Sequence, residues 1–117
     1  MLKTDYKFGE VRVLAAQADC KEGAVNFKSI FENGNGGVSL LAFKKDQVLA
    51  RHLAPADVMV YVVEGEMEFT MLDMSHTIKT GEFLLMGEGV PHSVVANADS
   101  KTVSYTHLRA HETVLDL

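Results

Sequence analysis

Positive charge is in short supply in this chain. Its 117 residues carry 11 Lys and Arg against 16 Asp and Glu, a formal net charge of −5. A nucleic-acid partner is therefore not expected, since phosphate binding needs a basic face. An acidic surplus of this size serves solubility. No stretch approaches the roughly 20 apolar residues that a membrane helix needs, so no membrane partner is expected either. The opening MLKTDYKFGE is charged and lacks the apolar core of a signal peptide. The single cysteine, Cys20, has no second thiol to pair with, which points to a reducing cytoplasm. Its setting, Asp19-Cys20-Lys21-Glu22, holds no base to activate it. Repeats and low-complexity linkers are missing, and no amphipathic helix of normal length is visible before residue 104.

What the chain does have is short apolar segments punctuated by turns. Hydrophobic residues make up 47% of it, enough for one domain with a real core. The run Asn33-Gly34-Asn35-Gly36-Gly37 reads as a turn, because Asn and Gly tolerate positive φ. It separates a leading arm, residues 1–35, from a body, residues 36–103. In the arm, Val25 to Glu32 reads as a strand, while Val11 to Ala18 fits a strand or a short helix. In the body, Val38–Phe43, Val48–Leu53, Val58–Val63, Glu66–Leu72, Ser75–Lys79, Glu82–Met86 and Val90–Ala96 read as strands, Val90–Ala96 being the last clear one. Val58–Val63 is almost wholly apolar, as in a strand buried on both faces. In Glu66–Leu72, Met67, Phe69 and Met71 are expected to face in and Glu66, Glu68 and Thr70 out. A tight connection is expected at Asp73–Ser75. Strands with turn signals at this spacing make an all-β sandwich or barrel.

Two segments resemble the paired motifs of the cupin family. The second motif, G-x5-P-x-G-x2-H-x3-N, is met by Gly81, Gly89 and His92. Gly87 stands at the Pro position and Ala96 at the Asn position, with Asn97 one place later. The first, G-x5-H-x-H-x3-4-E-x6-G, is anchored by Gly65. Counting back places Val58 at the Glu, Ala54 and His52 at the two His, and Asp46 at the leading Gly. The resemblance covers about Gly36 to Val103. It implies a small single-domain cupin of the RmlC-like superfamily, a double-stranded β-helix or jelly-roll barrel.

Metal-binding members of that family hold a divalent transition metal with three His and one Glu. Carried over residue by residue, only His52 and His92 remain as candidate metal ligands, because Ala54 and Val58 have no lone pair to donate. A catalytic metal takes about three protein ligands and an open position, so the cofactor expectation is a weakly held divalent metal or none. Asp57 neighbours the lost Glu position, but strict alternation turns it away if Val58 faces in. His76 shares the face of Ile78 and reads as a structural or rim histidine. Glu64 and Glu66 read as solvated edge charges. Met59, Met67, Met71, Met74 and Met86 fall at strand spacing and read as core filling rather than a soft-metal site. The expected pocket residues are His52, Ala54, Val58, Phe69 and His92. An apolar barrel of this kind suits a small, partly apolar ligand of unknown identity held by one or two histidines. The alternative for the two histidines is a hydrogen-bonded buried pair that holds the barrel mouth.

The last fourteen residues, SYTHLRAHETVLDL, change character. They resemble translated sequencing-adaptor read-through, so residues 104–117 are expected to be a non-native tail. As written, the string also fits a helix capped by Thr106, with Leu108 and Leu115 inward and His107 and His111 on one face. Three functions stay open: a binding or sensing cupin, a metal-dependent enzyme of oxygenase, isomerase or lyase type with a reduced ligand set, and a homo-oligomeric structural module. A homodimer is the expected assembly.

Overall fold

A computed structural model describes residues 2–107, with His52 described by its backbone. A short 3-10 helix, Leu14–Gln17, precedes nine strands: β1 Asn26–Asn33, β2 Gly36–Phe43, β3 Val48–Leu53, β4 Asp57–Glu64, β5 Glu66–Met71, β6 Met74–Lys79, β7 Phe83–Met86, β8 Pro91–Ala96 and β9 Ser100–His107. They form a five-stranded sheet, β1-β2-β9-β4-β7, and a four-stranded sheet, β3-β8-β5-β6. All the pairings are antiparallel. After β2 the chain crosses between the sheets at almost every connection, which is the winding of a jelly-roll barrel. The two inner faces meet in a core that includes Phe43, Val62, Met67, Phe69, Ile78 and Val94. Each such side chain contributes roughly 1.5–3 kcal/mol by leaving water.

The outer face of the five-stranded sheet has its own cover. Leu40, Ala42 and Val103 pack there against Ala18 and Cys20 of the leading arm. The Cys20 thiol lies 3.7 Å from the Ser100 carbonyl. The arm is also tied to β1. Lys3 and Glu32 exchange backbone hydrogen bonds of 2.7 and 2.9 Å, and Thr4 donates to the Ile30 carbonyl at 2.7 Å. The stretch that fitted either a strand or a short helix contains the 3-10 turn. β1 pairs with β2 of its own sheet.

Several details depart from expectation. β4 is not buried on both faces: Val58, Val60 and Val62 are buried, while Met59, Tyr61 and Val63 are half-buried. Met67 and Met86 fill the core, but Met74 is 62% exposed. It follows a two-residue turn, Leu72–Asp73, that lies one place earlier than expected. Both turn residues have positive φ, 52° and 62°, the pattern that matches the twist of the flanking strands. A leucine there carries a steric penalty that asparagine largely avoids. Leu72→Asn is accordingly expected to raise stability by about 1 kcal/mol, read as a higher urea midpoint; an unchanged or lower midpoint contradicts this.

The main correction concerns β9. A further strand follows Val90–Ala96, and Thr106 lies within it rather than capping a helix. Residues 100–107 form one strand paired to β2 on one side and β4 on the other. The boundary placed between residues 103 and 104 falls inside this strand. His107 is in β9 as well, whereas Leu108, His111 and Leu115 lie outside the described residues. The strand fixes the conformation of residues 104–107 and does not bear on their origin.

Candidate functional site

Between the two sheets lies a cavity of about 240 Å3. The five-stranded sheet supplies Ser39, Leu41 and Phe43 from β2, Val58 and Val60 from β4, Met86 from β7, and Thr102, Ser104 and Thr106 from β9. The four-stranded sheet supplies Leu49, Phe69, His92 and Val94. Phe27, which is 61% exposed, and Pro55 also border the cavity and mark its rim. An apolar cavity of about 150 Å3 holds benzene, so this one suits a ligand on the order of ten non-hydrogen atoms. Its described lining contains no Asp, Glu, Lys or Arg. Polar character comes from His92 and four hydroxyls.

His92 is placed by the second motif. Gly89, at φ 83°, makes the turn that leads into Pro91, where β8 starts. From there the strand alternates, and His92, Val94 and Ala96 are its buried residues. The imidazole Nδ1 lies 3.2 Å from the Val90 carbonyl oxygen. A carbonyl only accepts, so Nδ1 is the donor in this contact. Gly81, at φ 86°, serves the earlier turn of the same motif. In the first motif, Asp46 holds the place of the leading Gly and takes a φ of 74°, the conformation a glycine would supply without strain.

The expected pocket residues separate as follows. His92, Val58 and Phe69 line the cavity. Ala54 is buried in the core beside it, its N–H donating to the Val90 carbonyl at 3.1 Å and its carbonyl accepting from Gly89 N at 2.8 Å. His52 is the register partner of His92 across the β3–β8 ladder. Asp57 is half-buried at the start of β4, and its carboxylate accepts the Glu88 N–H at 3.0 Å. His76 is half-buried and borders a separate depression with Gly81 and Glu82. Glu64 is exposed and lies 3.9 Å from Lys101. Glu66 is not a free edge charge: it is half-buried and accepts the Asn97 amide at 3.0 Å.

Only two of the four family ligand positions, His52 and His92, carry a donor residue here. Ala54 and Val58 offer no donor where the family has His and Glu, and the Asp57 carboxylate is turned to the Glu88 amide. Among the described residues no three His, Cys, Asp or Glu side chains cluster in a way that holds an ion. Two imidazoles alone bind a divalent metal weakly.

The hydroxyls of β2 and β9 are the part of the wall that motif matching missed. Thr102, Ser104 and Thr106 alternate with Lys101, Val103 and Tyr105, so a period-2 signal was present. Polar residues at every second place ordinarily mark a solvent face, and here they face the cavity.

The sequence profile of the cupin domain family matches residues 39–108, more than half of the chain. The chain belongs to the cupin family. Solved structures share its fold. A conserved protein of unknown function from Streptococcus pyogenes superposes with a TM-score of 0.84 at 19% identity, covering 92% of this chain and 94% of its own. A cupin superfamily protein from Desulfitobacterium hafniense gives a TM-score of 0.83 at 16% identity, covering 93% and 99%. An RmlC-like cupin from Shewanella frigidimarina gives 0.74 at 16% identity, covering 94% and 96%. At these identities the likeness is one of fold. No curated protein matches the chain's sequence. Among the described residues of this cupin, no helix is long and apolar enough to cross a membrane.

Proposed function

We propose that this cupin is a small-molecule-binding protein whose ligand enters the barrel and hydrogen-bonds to His92. The observation that carries the reading is the cavity itself: about 240 Å3 between the sheets, mostly apolar, free of formal charge among its described lining, with one buried imidazole in its wall. Concave apolar pockets with a few placed polar groups are the common form of small-ligand sites. His52 is paired with His92 in the β3–β8 register. The same pair is what favours a second reading, a metal-dependent enzyme with a reduced ligand set. The short donor set ranks it below the first.

The test is a thermal-shift screen of neutral fragments of up to about ten non-hydrogen atoms, run on the wild type and on Leu41→Trp, which fills the cavity. Ligands that bind the native state raise Tm. Fragments are expected to stabilise the wild type and not Leu41→Trp, and hydrogen-bonding hits are expected to weaken about tenfold in His92→Phe. If no fragment stabilises the wild type, or if Leu41→Trp responds equally, the reading is wrong. Near-stoichiometric Zn2+, Mn2+, Fe2+ or Ni2+ that is lost in His92→Phe would install the metal-dependent reading in its place.

A further inference from the structure

We propose that a strip of hydroxyls on the β2–β9 wall, Ser39, Thr102 and Ser104, reads an uncharged hydrogen-bonding group on the ligand and makes the site select alcohols, ketones or phenols over carboxylates. This rests on the reading of the cavity as a ligand pocket. Thr102 carries the argument. It is 2% exposed, it lines the cavity, and its hydroxyl makes no hydrogen bond to another described residue. A buried hydroxyl without a protein partner costs free energy, and a ligand group that pairs with it recovers that cost. Ser39 and Ser104 are register partners on adjacent strands, line the same cavity, and are likewise without a hydrogen bond to another described residue. Thr106 differs: its hydroxyl accepts from Gly37 N at 3.1 Å and lies 3.3 Å from Gly37 O, so it is spent on the hairpin.

The position of the strip sets the ligand's orientation. His92 belongs to the four-stranded sheet and the three hydroxyls to the five-stranded one, so polar groups approach the ligand from opposite walls. The apolar lining includes Leu41, Phe43, Val58, Val60 and Phe69. Hydroxyls both donate and accept, which suits an alcohol or a carbonyl. A carboxylate would give up its hydration with no Lys or Arg in the described lining to replace it. Selection against anions follows from that imbalance.

The experiment compares cyclohexanol, cyclohexanone, methylcyclohexane and cyclohexanecarboxylate binding to the wild type, Thr102→Val and Ser39→Ala. It is run at about pH 8, where an ordinary imidazole is neutral. Thr102→Val keeps the branched shape and removes the hydroxyl. Binding of cyclohexanol and cyclohexanone is expected to weaken about five- to tenfold in Thr102→Val, methylcyclohexane to bind undiminished, and the carboxylate to bind at least tenfold more weakly than the alcohol to the wild type. Ser39→Ala, on a separate strand, is expected to show the same selective loss and guards against misfolding of the first variant. Equal binding of alcohol and hydrocarbon across all three proteins, or carboxylate binding as tight as alcohol, overturns the strip and leaves the pocket standing. No binding of any of the four to the wild type overturns both.

Discussion

Gly65→Ala is expected to destabilise this cupin by roughly 3 kcal/mol or more, and Gly81→Ala by only about 1 kcal/mol. Both glycines have positive φ, 99° and 86°, so both substitutions pay the backbone penalty. Only Gly65 also pays a steric one. A Cβ at Gly65 would stand 2.2 Å from Ser100 Oγ, 2.6 Å from the Asp99 carbonyl oxygen and 2.7 Å from Ser100 Cα, whereas at Gly81 nothing lies within 4 Å. The Ser100 hydroxyl cannot simply rotate away. It is fully buried, accepts the Glu66 N–H at 3.0 Å, and lies 2.8 Å from the Ala98 carbonyl. This is where β4 passes into β5 and from one sheet to the other, so moving it separates the faces that enclose the cavity. Urea unfolding of the two variants side by side checks the prediction. Equal losses would mean that the close approach of Gly65 to Ser100 does not hold the barrel together.

Phe43→Ala is the second large effect, about 3–5 kcal/mol. Phe43 is 1% exposed at the end of β2 and belongs to both the core and the cavity wall. Truncation removes its transfer free energy and leaves a void. Because that void joins an existing cavity, benzene is expected to raise the Tm of Phe43→Ala more than that of the wild type. The control is Phe83→Ala on the edge strand β7, where the ring is 60% exposed; its cost is expected to be below about 1 kcal/mol. Comparable losses at the two positions would contradict the assignment of Phe43 to the interior.

The parts of the fold that were legible in sequence are those where polarity and direction agree. In β5, Met67 and Phe69 are buried while Glu66 and Glu68 are not, as simple alternation requires. Gly81, Gly89 and His92 keep the spacing of a family motif, and that spacing is tied to geometry: both glycines turn with positive φ, and His92 enters the cavity. β9 was illegible for the opposite reason. Its outward residues include Val103, covered by Leu40 and Ala18, and its inward residues are Thr and Ser. Inside and outside exchange their usual chemistry, so the strand looked like the start of something else. β4 misled in a related way. Its second face is apolar, but Met59 and Tyr61 pair with the exposed Leu85 and Phe83 of β7 and form a half-covered outer surface.

The candidate site divides along the same line. The motif brought His92 to the cavity and identified Val58 as facing inward. It had no means of showing that Ala54 closes against the Gly89–Val90 turn. The β2–β9 wall was also out of its reach, since those strands flank the motifs and lie far apart in sequence. Ser39 meets Ser104 only through the β2–β9 register.

The most direct measurement is a methyl NMR titration of the full chain with cyclohexanone. The expected result is saturable shifts at Val58, Val60, Val94 and Met86, which line the cavity, with the Leu85 methyls on the outer face unmoved and the response lost in Leu41→Trp. Shifts confined to Leu85 and Met59, which border the outer groove, or no shifts at all, would contradict a ligand pocket inside the barrel.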